Sequence, residues 1–137
     1  MPAPQELIQQ VPLFAGLGKK DLQGLASSMK ERTFEAGDTI ASEGQSGVGF
    51  FIIEDGEATV TVGGEELGTM KAGDSFGEVA LIDDGARTAT VTAKTQLKCY
   101  GITSWEFRPL VAENANLAWK MLQEMAKRLR AAEQRSS

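Results

Sequence analysis

Along the chain the spacing of apolar residues switches from helical to strand-like and back again. Leu7, Ile8 and Val11 fit one helical face, and Leu22, Leu25 and Met29 recur at helical spacing in a second segment. Gly18 is placed to cap or break the chain ahead of that segment, and Asp21 sits where a carboxylate favours a helix start. These side chains predict packing rather than chemistry. From Arg32 the period falls to two, and glycine becomes the punctuation. Phe50 and Ile52 alternate with Phe51 and Ile53, while Ala58, Val60 and Val62 alternate with Thr59 and Thr61, the pattern of half-buried strands. Short strands are expected around Gly37, Asp38 and Gly44. Gly63 and Gly64 suit a two-residue hairpin, because such a turn needs positive φ. Ala86, Thr88, Thr90 and Thr92 alternate with Arg87, Ala89, Val91 and Ala93, which predicts another strand before Leu97 to Tyr100.

After Gly101 helical spacing returns. Thr103 or Ser104 can cap a short segment in which Pro109 argues against one long uninterrupted helix. Asn114 can cap a second helix, with Leu117, Met121, Leu122, Met125 and Leu129 on one broad apolar face. The closing AAEQRSS is expected to fray. The pattern is mainly β with flanking helices. It divides into a helical segment over about 5–31, a compact β roll over about 32–101 and C-terminal helices over about 103–133, within a single domain spanning 1–137.

At 137 residues, 42% hydrophobic and 24% charged, the chain has the size and make-up of one soluble globular domain. No apolar run approaches the roughly 18 residues of a membrane span. Glu6 stands where a secretory leader would carry basic residues. Cys99 is the lone cysteine, so no internal disulfide forms, which favours a reducing, cytoplasmic setting. Nine basic side chains face 17 acidic ones through Trp119, a net −8, whereas the remainder from Lys120 carries +3. An acidic body disfavours broad contact with nucleic acid, and the basic tail fits a solvated helix surface. Enzymatic chemistry finds little footing: there is no histidine for a triad, no cysteine pair for zinc and no GxxxxGK loop for a nucleoside triphosphate.

The candidate chemistry gathers between Gly73 and Val91, GDSFGEVALIDDGARTATV. This stretch reads as a glycine-marked turn, a short helical segment opened by Gly77 and Glu78, an acidic loop, and Arg87 leading into a strand. Such an arrangement can hold a small anion on backbone N–H groups while Glu78 accepts hydroxyl hydrogen bonds and Arg87 supplies positive charge. A ribose joined to a phosphate fits that description. Plainer readings stand beside it: Glu78 can cap the helix, Arg87 can pair with Asp83 or Asp84, and Gly77 can be a turn glycine. Gly56, Gly68 and Gly73 read as turn supports, and Asp38 and Asp74 as local caps rather than metal ligands. No metal is expected.

FGEVALIDDGARTATV also resembles the phosphate-binding cassette of the cyclic-nucleotide-binding domains of catabolite-activator-type regulators, cyclic-nucleotide-dependent kinases and gated ion channels. FGE, an AL pair, and an Arg followed by a small residue and Ala occur in that order. VPLFAGLGKKDLQGLASSMK resembles the family's N-terminal helices, and the likeness runs from about Val11 to Leu129. It implies a double-stranded β-helix, or jelly-roll, cyclic-nucleotide-binding fold. In the family the Glu aligned with Glu78 accepts the ribose 2′-hydroxyl, and the Arg aligned with Arg87 pairs with the cyclic phosphate. Further phosphate contacts are implied for the backbone around Gly77, Val79, Ala80 and Leu81, and for the Ala89 N–H. Thr88 can meet the phosphate or the guanine of cyclic GMP, or simply occupy a strand. Val60, Val62, Phe76 and Ala80 offer apolar surface to a purine or to the core.

The implied function is binding without turnover: a small regulatory sensor for a cyclic purine nucleotide, cyclic AMP by default, with cyclic GMP retained because of Thr88. EGQSGVGFF lacks the acidic residue common in the family's corresponding turn, a change that bears on the turn more than on nucleotide contacts. The final helix stops short of the length at which regulator helices cross the adenine and form a dimer seam. A shorter helix capping the ligand through Met125 or Leu129 is therefore expected, with a monomer or weak dimer, an unidentified downstream protein and no DNA-binding domain. The alternative is a ligand-independent protein-interaction module that retains the roll and uses Leu117, Met121 and Met125.

Overall fold

In chain order the strands are β1 (Lys30–Phe34), β2 (Thr39–Ala41), β3 (Gly49–Asp55), β4 (Ala58–Val62), β5 (Glu65–Met70), β6 (Ser75–Phe76), β7 (Thr90–Ala93) and β8 (Leu97–Thr103). The computed structural model describes residues 3–44, 49–77, 81–82 and 87–136. The strands form two antiparallel four-stranded sheets, ordered β1-β8-β3-β6 and β2-β7-β4-β5. Most neighbours in each sheet are distant in sequence, as a jelly roll requires. The β4–β5 hairpin is the local exception, closed by Gly63 and Gly64 at φ +60° and +81° with Val62 opposite Glu65.

Period-two alternation sorts the central strands into two cores. Phe50, Ile52, Tyr100 and Ile102 face a helix-side cluster, whereas Ile53, Leu97 and Cys99 join a cluster between the sheets that also receives Phe51 and Phe76. β3 is thus covered on both faces, and Phe50, Ile52 and Ile53 are fully buried where the alternation predicted a half-buried strand. The cause lies outside the strand: helices cover what would otherwise be a wet face. Each large side chain buried this way contributes about 1.5–3 kcal/mol.

The covering layer consists of α1 (Gln5–Gln9), a 3-10 turn at Pro12–Phe14, α2 (Lys19–Ser28), α3 (Ser104–Ala112) and α4 (Ala115–Ser136). Phe14 locks it to the sheet, with its ring 5.6 Å from Phe50 and 6.1 Å from Phe107. Thr103 caps α3 in a reciprocal box: Glu106 N donates to Thr103 Oγ1 at 3.3 Å, and Thr103 N donates to Glu106 Oε1 at 3.1 Å. Pro109 lies inside α3 and does not end it. The break falls instead at Asn114, whose Oδ1 accepts from Leu117 N at 3.1 Å to start α4.

Several boundaries differ from the sequence pattern. α2 ends at Ser28 and β1 already begins at Lys30. α4 runs to Ser136 where fraying was expected, in keeping with the helix-favouring Ala131, Ala132 and Glu133. Gly68 is no turn glycine; it sits in β5 opposite Val60, beside a register shift. Asp38 and Asp74 do act locally, accepting from Glu35 N at 2.8 Å and Lys71 N at 2.9 Å. Among the described residues no helix is long and apolar enough to cross a membrane.

Candidate ligand site

The edge strand β6 delivers the chain to Gly77 at φ +92°. Phe76 pairs with Phe51 and stacks on it with ring centroids 5.4 Å apart, so its ring serves the core between the sheets. A Cβ on Gly77 would lie 2.5 Å from the Gly49 carbonyl oxygen and would strike the Arg87 guanidinium. Glycine is demanded there both by the torsion and by the close approach. Three sequence-distant points therefore meet: the end of β6, the start of β3 and Arg87.

Arg87 is half-buried, and its Nη2 donates to the Gly49 carbonyl oxygen at 2.5 Å. Burial lowers its pKa by desolvation, yet an arginine remains cationic across the physiological range. A guanidinium partly stripped of water, whose hydrogen-bond partner among the described residues is a neutral carbonyl, has much to gain from an arriving anion. The backbone of this segment is fixed separately. Gly44 N donates to the Arg87 carbonyl oxygen at 2.8 Å, and Glu43 N donates to Thr90 Oγ1 at 3.0 Å. These contacts explain why the predicted strand is shorter than its alternation: β7 begins at Thr90, with bends at Thr88 and Ala89.

Of the other expected site residues, Thr88 is exposed and Ala89 half-buried. Val60 is half-buried opposite Val91, and Val62 is 37% exposed near the hairpin tip. Leu81 is buried in the helix-side core, away from the sheet-to-sheet cluster that holds Phe76. Glu78, Val79 and Ala80 lie outside the described residues, as do Asp83, Asp84 and Ala86. The expected ribose acceptor and the alternative pairing of Arg87 with those aspartates therefore fall there too. Sequence reasoning missed Gly49, Glu43 and Thr90 as partners of the Arg87 segment. The Glu43-Gly44 pair signalled a turn, but nothing local indicates that this turn reaches residues more than forty positions later.

Leu81 also borders a groove of about 400 Å³ shared with Phe107, Val111, Met121 and Met125. Met125 thus shares a lining with Leu81 and Ile82, whereas Leu129 is 61% exposed and is not part of it. The near end of α4 is tied to the N-terminal helices: Asn114 Nδ2 donates to Asp21 Oδ1, and Lys120 Nζ to the Gly16 carbonyl oxygen.

A match to the family described as cyclic nucleotide-binding domain covers residues 31–114, from β1 through Asn114. The chain belongs to that family. This cyclic nucleotide-binding domain is 44% identical over 93 residues to the cAMP-dependent protein kinase regulatory subunit of Yarrowia lipolytica, covering 66% of this chain and 25% of that protein. It is 40% identical over 95 residues to the subunit of the same description from Schizosaccharomyces pombe, covering 69% and 23%. The chain thus spans about a quarter of the length of these curated relatives. Among solved structures, the N-terminal domain of a transcriptional regulator from Streptomyces coelicolor A3(2) superposes with a TM-score of 0.88 at 28% identity, over 96% of this chain and 95% of that one. The jelly-roll assignment stands, and the ligand class of the family to which the chain belongs is a cyclic nucleotide. Among the described residues there is no cluster of three or more His, Cys, Asp or Glu side chains able to hold a metal ion.

Proposed function

We propose that the chain is a sensor for a cyclic purine nucleotide, with cyclic AMP preferred over cyclic GMP, and that Arg87 receives the cyclic phosphate. The observation that carries this reading is the half-buried Arg87 guanidinium held against Gly77 and the Gly49 carbonyl. Glu78 takes the ribose hydroxyl, since a carboxylate facing the phosphate would repel it. Backbone N–H groups from Gly77 through Leu81, with that of Ala89, complete the phosphate contacts. Val60 and Val62 give the purine an apolar wall, and Thr88 stands at its rim. The names of the kinase regulatory relatives favour cyclic AMP.

Signal transfer follows from the position of Leu81. It belongs to the same buried cluster as Phe107, Leu117 and Met121, so tightening the cassette changes what α3 and α4 pack against. The ligand shifts that equilibrium only by as much as it binds one arrangement more tightly than the other. The test is calorimetry of ligand-stripped protein with cyclic AMP and cyclic GMP, repeated on Arg87→Ala. Charge-assisted hydrogen bonds are worth roughly 1.5–3 kcal/mol each, so the substitution is expected to weaken binding about 100-fold. Equal affinity of wild type and variant would overturn the assignment of Arg87. Absence of binding in the wild type would favour the interaction module; Leu117 and Met121, expected to serve it, are buried in the helix-side core with Met125 packed against them, so its supporting feature is instead the exposure of Leu122 and Leu129 along α4.

A further inference from the structure

The end of the second sheet is closed by one side chain that none of the expected ligand contacts includes. In the order β2-β7-β4-β5, strand β7 separates β2 from β4, and β7 starts at Thr90 opposite Thr61. Beyond Thr61 the tip of the β4–β5 hairpin has no partner on β7 among the described residues. Glu43 fills that position. Leaving β2, the chain crosses the open end of β7, where Glu43 N donates to Thr90 Oγ1 at 3.0 Å and Glu43 Oε1 accepts from Gly63 N at 2.8 Å. The next residue, Gly44, donates its N–H to the Arg87 carbonyl oxygen at 2.8 Å. A single short segment thus grips both the hairpin that carries Val60 and Val62 and the backbone that carries Arg87.

We propose that Glu43 is a positioning residue for the bound nucleotide: its carboxylate holds the β4–β5 hairpin at a fixed distance from the Arg87 segment, and so sets the gap between the purine wall and the phosphate cation. The proposal rests on the cyclic-nucleotide reading of the site. Two features make the carboxylate matter. The Gly63 N–H belongs to a turn whose central residues are both in the left-handed region, so its direction is fixed and an acceptor has to come to it. Glu43 is exposed, so its link to Gly63 is a tether at the surface and not a core contact whose loss would unfold the roll. The two grips also act on different parts of the ligand. The Glu43 carboxylate restrains the wall, while the backbone N–H groups of Glu43 and Gly44 restrain the phosphate side and survive any substitution at Glu43.

That division gives a test that global destabilisation would not mimic. Affinities of wild type, Glu43→Ala and Glu43→Gln are measured by calorimetry for cyclic AMP and for ribose 3′,5′-cyclic phosphate, which keeps the sugar and phosphate but lacks the base. Glu43→Ala is expected to bind cyclic AMP about tenfold more weakly and the base-free ligand less than about twofold more weakly, one hydrogen bond to a charged acceptor being the quantity removed. Glu43→Gln, which keeps an oxygen acceptor for Gly63 N, restores most of the cyclic AMP affinity. Hydrogen exchange of the Gly63 amide, slowed in the wild type and fast in Glu43→Ala, reports the tether without any ligand. Wild-type affinity in Glu43→Ala, or equal losses for the two ligands, would overturn the proposal while leaving the cyclic-nucleotide reading intact. A wild type that binds neither ligand would overturn both.

Discussion

Replacing Gly77 by alanine puts the geometry of the site under the most direct strain. At φ +92° an L-residue with a Cβ sits in the left-handed half of the map, at a cost of about 1–2 kcal/mol. The new methyl would also lie 2.5 Å from the Gly49 carbonyl oxygen, a backbone atom at the start of β3 that cannot rotate away, and would meet the Arg87 guanidinium. Relieving that overlap by backbone movement costs a further ~1–3 kcal/mol. Gly77→Ala is therefore expected to lose about 2–5 kcal/mol, or roughly 3–5 °C of melting temperature per kcal/mol for a chain of this size. Cyclic AMP affinity should fall by more than about tenfold, because the arginine is displaced from its carbonyl.

Two other glycines separate the contributions. Gly63 has φ +60°, and a methyl group added there would meet nothing within 4 Å, so Gly63→Ala reports the torsional cost alone. Gly56 has φ +98°, and a Cβ there would collide with the Gln96 carbonyl oxygen and lie 3.1 Å from Leu97 Cα, far along the chain from Arg87. Gly56→Ala should melt as early as Gly77→Ala yet bind cyclic AMP like the wild type when assayed well below its melting temperature. Scanning calorimetry and isothermal titration on the three variants decide the matter. A Gly77→Ala protein that melts within about 2 °C of wild type and binds within twofold of it would refute the reasoning.

Two more expectations follow from local contacts. Asn114→Ala removes the cap of α4 and its bond to Asp21, and should cost about 0.5–2 kcal/mol, with faster amide exchange at Leu117. Burial pushes the Cys99 thiol from its ordinary 9.0 up to about 12. It should therefore resist thiol reagents at pH 8 in the folded protein, and the stability it confers should be complete below pH 9 and disappear as pH climbs toward 12, because only the unfolded chain ionises in that window. Denaturant midpoints of wild type and Cys99→Ala between pH 7 and 10.5 check the sign: the wild type should lose stability that the variant keeps.

The strands were legible where neighbours in sequence carry the signal. Alternation at Phe50 to Ile53 located β3, and Gly63-Gly64 located the hairpin, because both depend on local torsion and period. Thr103 and Asn114 were legible as caps for the same reason. What the alternation could not convey was the covering of β3 by helices from both ends of the chain, since that is a matter of packing between distant segments. The same limit applies to the site. Gly77 and Arg87 stand out as a motif, but the Gly49 carbonyl is a backbone atom of an ordinary-looking strand residue, and the reach of Glu43 to Gly63 depends on the strand order of the second sheet. Pro109 argued rightly against one long helix, but the break itself does not fall at the proline: a nine-residue helix tolerates one missing donor, and the next cap, at Asn114, sets the boundary.

The manner in which α4 is secured has a mechanical consequence. Its attachments to Asp21 and Gly16 lie within its first two turns, while its last turns stand in solvent. Twenty-two helical residues make a rod of about 33 Å. Pivoted at Asn114, a tilt of about 10° sweeps the far tip through roughly 6 Å, by the length of that rod. Beside Met121 and Met125, which border one groove with Leu81, the same tilt is a movement of only about 2–3 Å, so the length of the rod would multiply a shift imposed there about two- to threefold by Arg135.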